Sequence, residues 1–264
     1  MTIISNLLKS SHKKSSLIPF ITAGYPDLLS TQHALQILDK SGADVIEIGL
    51  PYSDPLADGP IIQEASSKAL EKGVTLDNIL ELLEEINGLI NTPLILFTYY
   101  NPILARGTQS FISDIASAGI KGLIIPDLPL EESDYLISLC KKVSIELILL
   151  ITPTSSDERI QKILNKSQGI IYIVSSTGLT GIRNNIRSDM KNFVSNVRKK
   201  TDKALILGFG ISQIRHVEQI VNWDIDGIVI GSAFVRYLSE DDLDNGLKKI
   251  EKFCSSVSDV INLR

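Results

Sequence analysis

The chain has 264 residues, 44% of them hydrophobic, with 26 Lys and Arg against 31 Asp and Glu. That length suits one large domain or two small ones, and either can bury a core. A net charge of −5 argues against general nucleic-acid binding, which needs a basic face, and no apolar stretch reaches the ~18 residues of a membrane span.

The opening stretch, MTIISNLLKSSHKKSS, spaces Ile3, Ile4, Leu7 and Leu8 as an amphipathic helix does. It lacks the apolar region and cleavage site of a secretory leader and contains no Arg, so it reads as a short helix packed on the domain. Short apolar, β-branched runs then alternate with amphipathic stretches. In chain order they are strand Leu17–Thr22, helix Ser30–Lys40, strand Asp44–Gly49, helix Leu76–Ile90, strand Leu94–Thr98, helix Phe111–Ala118, strand Gly122–Pro126 and helix Ser133–Lys142. The second half continues with strand Glu146–Ile151, helix Asp157–Asn165, strand Ile170–Val174, helix Arg187–Lys199, strand Ala204–Gly208, helix Ile214–Val221, strand Gly227–Ile230 and helix Asp241–Phe253. Continuous apolar strands alternating with helices signal a parallel sheet covered on its outer face. Eight of them in a chain near the ~250 residues typical of the fold predict a (β/α)8 TIM barrel with an extra N-terminal helix. With no linker or low-complexity segment, residues 1–264 read as one domain. The alternative, a doubly wound open sheet, would normally carry GxGxxG after its first strand, and here that turn is TAGYPD.

Two cysteines far apart, Cys140 and Cys254, read as free thiols in a reducing compartment. The three histidines (His12, His33, His216) fall in predicted helices with polar neighbours and form no metal-ligand pattern; they are expected to be surface or hydrogen-bonded residues, with no metal site. The basic clusters Lys13–Lys14, Lys141–Lys142 and Arg198–Lys199–Lys200 lie at or near helix ends, where a cation suits the helix dipole. Any chemistry therefore falls to carboxylates.

Barrel active sites lie where strands end and βα loops begin, which directs attention to Pro51–Gln63, Ser175–Asn185 and the turns after strands 7 and 8. On strand 2 the period of two puts Val45, Glu47 and Gly49 on one face and the wholly apolar Ile46, Ile48 and Leu50 on the other. Glu47 therefore points into the barrel, where burial raises a carboxyl pKa toward the range of acid–base catalysis. The plainer reading is an ion-paired core Glu, but the predicted strand cores hold no Lys or Arg partner. Asp54 and Asp58, in the loop that follows, are not separated by spacing; either could cap the following turn or helix. LGFGIS, IGSAFV and STGLTG place Gly181, Gly210, Gly231 and Ser232 in three turns after consecutive strands. Bare backbone and helix N-terminal amides of this kind bind phosphate, although such glycines can also merely end strands tightly. Phe20, Phe97, Tyr99, Tyr172 and Phe209, in or just after strands, are either core filling or the walls of a flat apolar subsite.

FITAGYPD, EIGLPYSDPLADGPIIQ, TYYNPIL, IPDLPLEE, STGLTG, GFGIS and IGSAFV occur in that order, and over essentially the whole chain they resemble the tryptophan synthase alpha chain family. Leu50, Tyr52 and Leu179 depart conservatively from the common pattern. The resemblance implies retro-aldol cleavage of indole-3-glycerol phosphate to indole and glyceraldehyde 3-phosphate, with no cofactor in this chain. It picks Glu47 and Asp58 as the catalytic pair and leaves Asp54 as supporting. It implies that Phe20, Tyr172 and Phe209 sandwich the indole, that Tyr99 lines the substrate site, that Gly181, Gly210, Gly231 and Ser232 hold the phosphate, and that Thr180 belongs to a closing loop. It also implies a partner, a beta chain carrying pyridoxal phosphate, in an alpha2-beta2 tetramer contacted through Asp54–Pro55 and the Asp127–Pro129 loop. The expected compartment is the bacterial cytoplasm or, for a plastid-encoded chain, the plastid stroma. Two rivals stand beside this reading. A phosphosugar isomerase or aldolase on the same barrel would need a Schiff-base Lys or a base on another strand. A non-catalytic docking subunit would have no use for both Glu47 and Asp58.

Overall fold

A computed structural model describes residues 2–11, 13–174, 188–208, 210–211 and 213–262. Helix α1 (Ile3–Ser10) precedes β1 (Ser16–Thr22), α2 (Leu28–Lys40), β2 (Ile46–Gly49), α3 (Pro60–Glu71), α4 (Leu76–Ile86), β3 (Leu94–Phe97), α5 (Tyr100–Arg106), α6 (Thr108–Ser117) and β4 (Gly122–Ile124). A 3-10 turn, Leu130–Glu132, leads to α7 (Ser133–Lys142), β5 (Glu146–Ile151), α8 (Asp157–Lys166), β6 (Ile170–Val174), α9 (Ser188–Arg198), β7 (Ala204–Gly208), α10 (Ile214–Ile220), β8 (Gly227–Ile230), α11 (Ser232–Leu238) and α12 (Leu243–Asn262). The eight strands pair in parallel, in sequence order, and β1 closes on β8. Their residues are buried on both faces almost without exception, as expected where helices cover the outside and side chains fill the inside.

Helix boundaries follow local chemistry. Asp27 accepts the Ser30 amide at 2.7 Å, so α2 begins at Leu28, earlier than apolar spacing suggests. Thr75 and Asn78 cap each other at the start of α4. That helix ends at Ile86 rather than Ile90, because Asn87 is extended and Gly88 takes φ +87°. Two helices went unread in the sequence. Helix α3 starts inside the segment read as the Pro51–Gln63 loop, with Pro60 in its first turn, where a missing N–H costs nothing. Helix α5 follows β3 almost directly. The last helix runs to Asn262, well past Phe253.

Helix α1 closes the N-terminal end of the barrel. Thr2 caps it, and the Thr2 hydroxyl also donates to Glu146 at the start of β5. A side chain on Gly169 would collide with Ser5 of α1 (2.8 Å to Cβ), and one on Gly122 would crowd Ile4 (3.1 Å). Asp226, just before β8, ties this base together: it pairs with Lys9 of α1 and Arg198 of α9 and accepts the Leu205 amide. One sequence expectation fails here. His33 is exposed as expected, but His216 is 3% exposed and its Nε2 has no hydrogen-bond partner among the described residues. It lies on the inner face of α10, where burial lowers its pKa. His12 lies outside the described residues.

Candidate active site

Glu47 sits on β2 opposite Phe20 of β1 and Ile95 of β3. It is 1% exposed, and among the described residues its Oε2 has no hydrogen-bond partner and no cation offsets its burial. Burial, reinforced by the nearby Asp58 carboxylate, pushes its pKa up to about 8. Asp58 is 9% exposed. It hangs from the loop that enters α3, held by its amide on the Pro55 carbonyl (3.0 Å) and by Gln63 Nε2 on its own carbonyl (2.9 Å). Burial raises its pKa to about 6, and a hydrogen bond from the Tyr99 hydroxyl to Oδ2 (3.0 Å) limits the rise.

The two carboxyls face one cavity of about 170 Å³ at the C-terminal mouth of the barrel. Phe20, Phe97 and Tyr172 supply aromatic walls, and Gly210, Gly231 and Ser232 lie around the same space. Phe20 and Phe97 meet edge to face, with centroids 5.9 Å apart at 87°. The loop that spacing left ambiguous divides cleanly. Asp58 lines the cavity with Glu47, whereas Asp54 is exposed and accepts Ser53 Oγ at 2.6 Å. Tyr99, expected as a substrate wall, stands behind the cavity instead. Its hydroxyl is taken up by Asp58 and by the Ala57 amide (2.9 Å), and its ring stacks on Tyr52 at 4.9 Å. Thr180, Gly181 and Phe209 lie outside the described residues. The sequence reading missed Ile62, Leu150, Val174 and Val229 as lining residues. Strand parity carries the signal for the last three, since Val174 shares a face with Tyr172. Ile62 becomes visible only once α3 is known to start at Pro60.

Among the described residues no group of three or more His, Cys, Asp or Glu is placed to hold a metal ion, and no helix is long and apolar enough to cross a membrane. The family model for the tryptophan synthase alpha chain matches residues 7–262. A tryptophan synthase alpha chain of Pyropia yezoensis is 54% identical over 261 residues, covering 99% of each chain. One from Acaryochloris marina is 51% identical, covering 92% of this chain and 91% of its own. Among solved structures, Mycobacterium tuberculosis tryptophan synthase superposes with a TM-score of 0.90 at 30% identity, covering 100% of this chain and 99% of that one. A mutant alpha-subunit from Pyrococcus furiosus gives 0.85 at 31% identity, covering 93% of this chain and 98% of that one. Matched along nearly its whole length in sequence and in fold, the chain belongs to the tryptophan synthase alpha chain family.

Proposed function

We infer that Glu47 and Asp58 are the catalytic pair for the reaction of this family. A tryptophan synthase alpha chain is a carbon–carbon lyase of tryptophan biosynthesis; it cleaves indole-3-glycerol phosphate to indole and glyceraldehyde 3-phosphate. The step uses no cofactor of its own, pyridoxal phosphate belonging to the beta chain. The observation that carries the residue assignment is the pairing of two buried carboxyls on one aromatic-lined cavity, one without a hydrogen-bond partner on Oε2 among the described residues and one held by Tyr99, with pKa values raised to about 8 and about 6. At neutral pH Glu47 is then mainly protonated and Asp58 mainly ionised, an acid and a base set by environment.

The chemistry needs both forms. Glu47 gives its proton to C3 of the indole ring. Positive charge then develops at the ring nitrogen, and the Asp58 carboxylate accepts that N–H and stabilises the charge. Glu47, now a carboxylate, removes the proton from the side-chain hydroxyl. The C–C bond breaks, its electron pair returns to the ring, and indole and the aldehyde separate. Phe20 and Tyr172, joined by Phe209 and Phe97, hold the flat ring. Gly210, Gly231 and Ser232, with Gly181, take the phosphate, so binding energy far from the breaking bond sets orientation. Thr180 is assigned to the substrate site on the family resemblance alone. Tyr99 acts by holding Asp58 rather than by touching substrate. The test is indole release by Glu47→Gln and Asp58→Asn. Each should lose about a hundredfold or more in kcat while folding and phosphate-ligand affinity persist; near-normal turnover in either would sink the assignment.

The partner we assign is a beta chain, in an alpha2-beta2 arrangement, docking on the face that carries Asp54–Pro55 and Asp127–Pro129. Support comes from the tryptophan synthase complex of Pyrococcus furiosus, which superposes on this chain with a TM-score of 0.84 at 31% identity, and from Leu56, 82% exposed between the two aspartates. The single-domain reading rests on one closed barrel built from strands between Ser16 and Ile230. A reducing compartment, cytoplasm or plastid stroma, suits two buried free cysteines.

A further inference from the structure

Phe20 pairs with Glu47 across β1 and β2, and its ring leans over Gly49, two residues nearer the mouth. A Cβ at Gly49 would stand 2.5 Å from Phe20 Cζ and 2.8 Å from Cε2, closer than real side chains approach. Gly49 is not among the residues with positive φ, so its backbone does not call for glycine. On the other flank a Cβ at Gly231 would lie 3.2 Å from Phe20 Cδ1. The ring is therefore seated between two bare α-carbons. The opposite wall repeats the arrangement: Tyr172 pairs with Ile206, and its ring fills the space of a side chain on Gly208, again two residues nearer the mouth on the following strand.

We propose that Gly49 is a positioning residue for the aromatic slot: with no side chain, it lets the Phe20 ring lie back against β2 and so sets the slot to the thickness of a planar bicyclic ring. The proposal rests on the reading of this cavity as the indole site. The Gly49 carbonyl accepts the Ala23 amide at 2.9 Å, a backbone bond that any residue at this position could make; with no side chain Gly49 donates nothing to the reaction and acts through Phe20.

The test is a double-mutant cycle on the full chain with saturating beta chain, following indole release from indole-3-glycerol phosphate. Gly49→Ala should push the ring into the slot and raise KM by roughly tenfold or more, with kcat changing less, because overpacking and lost ring binding act before chemistry. Binding of glycerol 3-phosphate, a probe of the phosphate end alone, should stay within about twofold of wild type. Trimming the ring should relieve the clash, so Gly49→Ala combined with Phe20→Leu should come within about threefold of Phe20→Leu alone. A wild-type KM in Gly49→Ala, or losses that simply multiply in the double variant, would overturn the proposal while leaving the lyase reading intact. If Gly49→Ala does not fold, recovery of soluble, indole-releasing protein in the double variant supports the proposal, and no recovery overturns it. A wild-type complex that releases no indole would overturn the reading of the site, and this inference with it.

Discussion

Glu47 and Asp58 share a cavity but titrate on opposite sides of neutrality, near 8 and near 6. The proposed mechanism needs the first protonated and the second ionised, so kcat/KM should follow a bell between those two values. It should fall below about 6 as Asp58 takes a proton and above about 8 as Glu47 loses its own. The Tyr99 hydroxyl favours the ionised form of Asp58. Tyr99→Phe should therefore move the acid limb upward and narrow the bell, leaving the basic limb in place; a pH–rate profile reads both limbs. An unmoved acid limb would remove Tyr99 from its assigned role. At this scale the sequence was half legible. Period-two alternation put Glu47 inside the barrel, because the other face of its strand is wholly apolar and belongs against the helices. Asp54 and Asp58 could not be told apart by spacing, because their difference lies in how the loop folds back onto Tyr99, which is a contact distant in sequence. Family resemblance chose Asp58, and the geometry puts it beside Glu47 and leaves Asp54 in solvent.

Among the elements, α1 shows how the base of the barrel differs from its mouth. Glu146 is as buried as Glu47, yet it opens β5 at the end away from the cavity and accepts a hydrogen bond from Thr2. The N-terminal face of such barrels carries stability rather than chemistry. Thr2→Val removes both the cap of α1 and the hydroxyl that Glu146 accepts. Urea unfolding should show a loss of about 2 kcal/mol, the sum of a lost cap and one lost hydrogen bond to Glu146, which keeps those from the Gly169 and Ile170 backbone, with kcat unchanged at 25 °C. Strands were legible almost to the residue, since an apolar β-branched run bounded by Gly or Pro marks itself. Helices were less so. Helix α3 hid behind a proline-rich loop, and α12 continued past its apparent stop because its inner stripe resumes at Val257 and Ile261.

For the whole molecule, the closed barrel brings the C-terminal ends of its strands to one mouth. The loop that presents Leu56 outward presents Asp58 inward, two residues on. Burying Leu56 under a beta chain would therefore fix the Asp58 carboxyl as well. Saturating beta chain should raise kcat for indole release by roughly tenfold or more, a population shift toward the competent loop. Leu56→Asp should weaken that activation without altering the rate of the free chain. Comparing the two rates with and without the partner decides the matter; equal activation of both chains would put the docking face elsewhere.

The isolation of Glu47 has a last consequence. Among the described residues its Oε2 has no hydrogen-bond partner, and the residue is 1% exposed. In the proposed mechanism a proton given to C3 is replaced by the one removed from the substrate hydroxyl, so each turnover would return Glu47 to its starting state without calling on solvent. Such a cycle is closed in protons. At fixed pH and ionic strength, the rate of indole release should not respond to buffer concentration. A rate that climbed with buffer would mean that protons enter by a route the buried carboxyl does not provide.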